Sequence, residues 1–274
     1  MMIWGAAAYA IFLWWFSTGA ILYVVSRAAR DGRAASLNAV VLTVPVLFLG
    51  CVGVAGSLEE TGVRGAFMGF TSALLIWGWF EMAFLAGVIT GPNAHPTPET
   101  VGPGERFIRA WGAIAYSEMA LVFSAILITL LSLGAPNQIA LWTFLVLFFA
   151  RIFAKLNLYF GVPNINDEFL PGPVRYLTTH FRRAPMNGFF PVSVTVLTFA
   201  LACWIERAAA MPPGSGAQAG FVLLAALTAL ALFEHWMMVL PLPDAALWRW
   251  LLPSPKKDKC AKKTVGKPAQ VEGL

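Results

Sequence analysis

Charge is scarce in this chain. Asp, Glu, Lys and Arg make up 12% of its 274 residues, against about 25% in ordinary soluble domains. The scarcity is uneven, and it leaves apolar runs of roughly 20 residues, the length that crosses a bilayer. A chain that is mostly such runs has no room for a second, soluble domain. Cysteine is scarce too. Cys51 and Cys203 fall inside apolar runs and Cys260 in the C-terminal tail, spacings that resemble neither a metal site nor a disulfide framework. No internal repeat is present, and with it goes the signature of inverted transporter halves. The last apolar run contains no lysine, which excludes a retinal Schiff base at the usual place. The first run lacks a basic segment before it and a cleavage site after it, so it reads as a retained span.

What is present is apolar: 58% of residues, against about 45–50% in soluble domains. The fold class is all-α, a polytopic integral membrane protein with seven transmembrane helices. The spans are expected over 3–26, 37–58, 66–90, 107–133, 139–160, 188–204 and 220–240. They form one membrane domain, 1–252, followed by a lysine-rich tail, 253–274. Lys and Arg collect on the cytoplasmic side of membrane proteins. Apart from Arg151 and Lys155, fifteen fall on one side of this topology and only Arg64 and Arg207 on the other. The N-terminus is therefore expected outside and the C-terminus in the cytoplasm. The same asymmetry explains the pI of about 9.3 with no appeal to nucleic acid.

Two cytoplasmic stretches read as interfacial helices, 173–183 and 244–252. In the first, Val174, Leu177 and Phe181 share a helical face while Arg175, Arg182 and Arg183 lie elsewhere, as suits a helix lying on a membrane. In the second, Asp244 can cap a short helix that sets Trp248 and Trp250 at headgroup level. His180 and His95 are expected to be solvated. Six lysines between Lys256 and Lys267 would each be drawn to anionic lipid by about 1 kcal/mol near the surface. A solvated, disordered tail is the competing reading.

The polar residues inside the spans carry the most information. A cation at the centre of a spanning helix costs roughly 2.5–3.5 kcal/mol on insertion scales, so it faces protein rather than lipid. Arg151 and Lys155 are four apart and share a helix face; Asn157 follows them. At 1.5 Å rise per residue, Glu81, Glu118 and Arg151 lie roughly 12–15 Å from the cytoplasmic ends of their spans, and Glu234 and His235 about 8–9 Å. Four helices thus place Glu81, Glu118, Arg151, Lys155, Asn157, Glu234 and His235 in one layer. Its readings remain open. One is an ion-pair and hydrogen-bond network that fixes helix packing. A second is a proton or ion pathway. A third is a carboxylate-rich metal site from Glu81, Glu118, Glu234 and His235, although such sites want Glu-x-x-His on two helices.

Three motifs together resemble a known family: LWWFSTGAIL (Leu13 to Leu22), FEMAFLAGVITGP (Phe80 to Pro92) and ARIFAKLNLYFGVPNINDEFLP (Ala150 to Pro171). They are similar to the photosynthetic complex assembly protein 2 family, PuhE, of purple bacteria and related phototrophs, over nearly all of the chain to about residue 252. The resemblance implies a non-catalytic, multi-pass protein of the inner, photosynthetic membrane. It would support build-up of reaction-centre and light-harvesting complexes or the supply of bacteriochlorophyll. Its partners would be photosynthetic complex polypeptides or pigment-synthesis enzymes. In that light His235 becomes a candidate ligand to the magnesium of bacteriochlorophyll, with Ala231 the small residue one turn earlier. A membrane enzyme or transporter using the charged layer is the alternative.

Overall fold

A computed structural model describes residues 2–98, 100–167 and 170–240. The expected helix over 244–252 and the tail over 253–274, with its contact to anionic lipid, lie outside those residues. In chain order the helices are α1 (Met2–Arg30), α2 (Arg33–Leu42), α3 (Val44–Ser57), α4 (Val63–Leu85), α5 (Pro103–Leu131) and α6 (Ile139–Phe160). A 3-10 helix (Gly172–His180) then precedes α7 (Phe190–Ala210) and α8 (Gly216–Met237). Seven of these stretches are long and apolar enough to span a membrane, with α2 and α3 counting as one.

The span expected as one helix over 37–58 is two, broken at Thr43. Pro45 causes the break, because it has no N–H to continue the ladder. The freed carbonyls find other donors. The Thr43 hydroxyl donates to Ala39 and Val40 at 2.9 and 3.0 Å, and the Trp79 indole to Val40 at 3.3 Å. In hydrocarbon such replacement is obligatory.

The centre of the bundle is the pair α4 and α8. Half of the most apolar stretch of each is buried, against 11% in α1 and 17% in α2–α3. Helix α8 packs on α7, α1, α4 and α6, and α4 also on α3. Between them sit Phe70, Leu223, Leu224 and Leu227 with the small Ala6 and Ala10 of α1. A second cluster joins Val54, Ile76, Leu121 and Phe144. Lipid tails are as apolar as these side chains, so close van der Waals packing and polar contacts, not water release, hold the helices together. Small residues therefore matter. A Cβ on Gly50 of α3 would stand 2.8 Å from Ile76 Cγ1 and 3.0 Å from the Ser72 carbonyl of α4.

The turns at the helix ends are tied by side-chain amides. Asn137 donates to the Ser57 and Glu60 carbonyls, both at 2.9 Å, and accepts from Ile139 N; it fastens the start of α6 to the α3–α4 turn. Ser215 accepts from Gln218 N, and Gln218 Oε1 accepts in return from Gly214 N. That reciprocal pair caps α8.

The segment expected to lie on the membrane as a helix over 173–183 is instead a 3-10 helix packed against the bundle. Val174 and Leu177 are buried with Phe84 and Ala113, and Phe181 packs beside them. Val174, Leu177 and Phe181 lie together, and what covers them is protein.

Overpacking a tight contact typically costs about 1–3 kcal/mol. Gly50→Leu should therefore lower thermal stability in detergent, while Gly5→Leu, with nothing within 4 Å of its Cβ, should leave it unchanged. Equal melting of the two variants would contradict the α3–α4 contact.

Candidate functional site

Helix α6 ends at Gly161, whose φ of 124 is open at little cost only to glycine. Upstream of that stop, Arg151 and Lys155 occupy one face of α6. That face meets Glu81 of α4 and Glu118 of α5. Arg151 pairs with Glu81 through Nη1 and with Glu118 through Nε at 3.2 Å. Its Nη2 donates to Ser117 Oγ at 3.3 Å. Lys155 Nζ donates to the same Glu118 Oε1 that Arg151 holds. The Arg151 and Glu118 side chains are 9% and 6% exposed, those of Lys155 and Glu81 22% and 27%. Two cations and two carboxylates balance. Phe84 lies one turn beyond Glu81, and both cations rest on its ring, at 4.8 Å from the Arg151 guanidinium and 4.5 Å from Nζ. The cluster thus joins α4, α5 and α6 with an aromatic floor.

Glu234 is exposed on α8, whereas His235 beside it is buried, 2% exposed. Adjacent residues point about 100° apart on a helix, so only one of them faces the core. Among the described residues no group of three His, Cys, Asp or Glu converges. The set Glu81, Glu118, Glu234 and His235 is therefore not assembled as a metal site. His235 Nδ1 donates to the Ala231 carbonyl at 2.7 Å, which leaves Nε2 as the ligating atom of a neutral ring. That Nε2 is buried without a hydrogen-bond partner, and His235 lines neither of the two described cavities. Nε2 is the atom that would hold a pigment magnesium, with Ala231 the small residue one turn earlier.

Asn157 belongs to a different contact. Fully buried, it donates to Phe153 O at 3.0 Å and to Ser193 Oγ of α7 at 2.9 Å. It accepts from Asn187 at 3.1 Å. Asn187 in turn caps α7 by accepting from the Phe189 and Phe190 amides. Asn164, seven residues after Asn157, donates to Met237 O at 3.0 Å at the end of α8. The Gly-Val-Pro-Asn loop is thus a strap between α6, α7 and α8. Asn164 and Asn187 escaped sequence reasoning because asparagine in a turn is ordinary.

His180, expected in solvent, is 3% exposed. Its Nδ1 shares a hydrogen bond with Thr97 Oγ1 at 2.8 Å, its carbonyl accepts from Arg106 at 3.0 Å, and its Nε2 has no partner. Burial, then the Arg106 and Arg109 guanidiniums, push its pKa below the usual histidine value. His180 closes one end of a cavity of about 300 Å³ between α5, α6 and the 3-10 helix; Glu81, Glu118 and Lys155 stand at the other.

Fold and site together define a polytopic α-helical membrane protein in which a largely buried, charge-balanced cluster joins α4, α5 and α6. The chain belongs to the family described as protein of unknown function DUF3623, whose model matches residues 1–259. It is 53% identical over 251 residues to an uncharacterized 30.4 kDa protein in the puhA 5' region of Rhodobacter capsulatus, over 92% of this chain and 91% of that one. No solved structure matches it.

Glu118 serves two cations and Glu81 one, so Glu118→Gln should destabilise more than Glu81→Gln, by roughly 3–5 kcal/mol where a buried charge is left uncompensated. Combining Arg151→Gln with Glu118→Gln should recover part of the summed loss, with a coupling of about 0.5–3 kcal/mol in a thermal-stability cycle. Strict additivity would mean the pair does not interact.

The unfolded His180 ring takes up its proton at higher pH than the folded ring. Stability therefore rises with pH through that interval and falls as pH drops below about 6.5. Melting in detergent between pH 7 and 5 should show this loss, and His180→Gln should flatten it. An unchanged pH profile in His180→Gln would assign the effect elsewhere.

Proposed function

We propose that this protein is a non-catalytic membrane factor of the PuhE type. In this reading it supports assembly of photosynthetic reaction-centre and light-harvesting complexes or supplies bacteriochlorophyll to them. Two lines support a role in photosynthesis. The Rhodobacter capsulatus relative lies in the puhA 5' region, a photosynthesis gene cluster. The motif Arg-x-x-x-Lys-Leu-Asn followed by Gly-Val-Pro-Asn matches that family's pattern.

The single observation that favours a scaffold over a transporter or enzyme is the closure of the charged cluster. Each cation has a carboxylate, each carboxylate a cation, and the cavity beside them has apolar walls. A conduit or catalytic site built on the cluster would need one of these four charged groups free to take up a proton, ion or substrate. The proposed setting is the inner membrane, with the N-terminus outside and the C-terminus in the cytoplasm. Its partners are photosynthetic complex polypeptides or pigment-synthesis enzymes, and the lysine-rich tail contributes contact with anionic lipid.

Reporter fusions test the orientation. Fusions after Arg33, near His95 and near His180 should report cytoplasm, and those near Glu60, Asn137 and Gly214 the opposite side. One clear inversion in that series would overturn the topology. Affinity purification of the full chain from a phototrophic cell building its photosystem tests the role. Recovery of complex subunits or pigment enzymes is expected, together with lowered complex absorbance in a deletion strain. Normal complexes in the deletion strain would overturn the assembly reading.

A further inference from the structure

The cavity beside the cluster runs along α5 from Phe107 to Glu118, eleven residues and therefore about 16 Å of helix. It faces Ile152, Leu156 and Tyr159 of α6 and is roofed by the 3-10 helix. Phe107 and Trp111 on its edge are 50% and 48% exposed, on helices that the bilayer surrounds. The cavity thus opens sideways, into hydrocarbon. Water gains little there, since the charged groups at its inner end are already paired and the walls between are apolar. The outer end is different. His180 is one of its lining residues, and Nε2 of that ring is buried with no hydrogen-bond partner, a state that costs about 1–3 kcal/mol when left unsatisfied. Arg106 donates to the His180 carbonyl at 3.0 Å, and Arg109 beside it is paired with Glu105 at 2.7 Å, so two guanidiniums against one carboxylate leave the outer end with a net positive charge. The site is apolar along its length, basic at its mouth, and short of one hydrogen bond.

We propose that this cavity is a lateral lipid site that takes one acyl chain of an anionic phospholipid, with the headgroup at His180, Arg106 and Arg109. The chain lies along α5 with its methyl end toward the Glu118–Lys155 pair. The headgroup oxygen accepts from His180 Nε2–H, in the tautomer where Thr97 Oγ1–H donates to Nδ1. The lipid completes the interface between α5 and α6, where α5 is otherwise peripheral, with 22% of its most apolar stretch buried.

The test is photolabelling of the full chain in vesicles containing phosphatidylglycerol with a diazirine in one acyl chain. Crosslinked peptides should come from α5 near Trp111 and from α6 near Leu156. Ala110→Trp, which fills the cavity, should cut this labelling at least fivefold. Phe123→Trp, on the exposed outer face of α5, should leave it unchanged. Melting temperatures of both variants identify any loss of fold, and unlabelled lipid bound to the wild type, read by native mass spectrometry, gives an independent measure. His180→Ala should weaken retention of phosphatidylglycerol more than that of phosphatidylcholine. Displacement by a prenyl alcohol but not by phosphatidylglycerol would assign the cavity to an isoprenoid chain and overturn the phospholipid proposal. Labelling spread evenly over α1, α3 and α5, and indifferent to Ala110→Trp in a folded protein, would overturn the site itself.

Discussion

A guanidinium held inside an apolar bundle is the constraint on which the rest depends. Neither lipid nor a hydrocarbon side chain can solvate Arg151, and the effective cost of a buried ion is several kcal/mol even after relaxation. The chain meets that cost with two carboxylates from two other helices, a serine hydroxyl and an aromatic face. Each partner must sit at one depth and one azimuth. The pairing therefore specifies how α4, α5 and α6 are rotated as well as which of them are neighbours. Apolar packing alone would tolerate several rotations, because lipid-exposed and protein-facing surfaces are chemically alike in a membrane.

Lys155 extends the same logic. It shares Glu118 with Arg151 and shares the Phe84 ring as well. Two cations one turn apart repel each other unless an anion lies between them, and Glu118 does. Its carboxylate is the least exposed of the four charged groups, so it has the least water to fall back on. The cluster is closed upon itself, and the space next to it has apolar walls.

A second set of contacts lies at the same end of the bundle and works without charge. Asn157, Asn187 and Asn164 tie α6 to α7 and α8 by satisfying carbonyls and amides that the helix ends leave open. Helix termini each leave four backbone groups unpaired. Within a membrane those groups need protein partners, and the Gly161–Asn187 connection supplies them. The connection is thus part of the packed structure, which is why the 3-10 helix and His180 are buried in it.

Much of this was legible in the chain itself. Hydropathy counts seven spans, and seven described stretches are long and apolar enough to cross a membrane; the expected 139–160 coincides with α6, while 188–204 stops six residues short of the end of α7. The fixed rise of a helix placed Glu81, Glu118, Arg151 and Lys155 at one level. The presence of cations in a span required acids nearby. Rotation about each helix axis was not legible. Depth grouped Glu234 with the cluster, yet it faces outward on α8 while His235 faces in. The spacing of Val174, Leu177 and Phe181 revealed an apolar face but not whether lipid or protein would cover it, and His180 went into the core with that face. What the sequence determined was the number of spans, their lengths and the demand for charge compensation, all set by composition along a line. Which acids answer that demand, and which histidines are buried, was decided by helix neighbours and rotations, which arise from contacts between residues far apart in the chain.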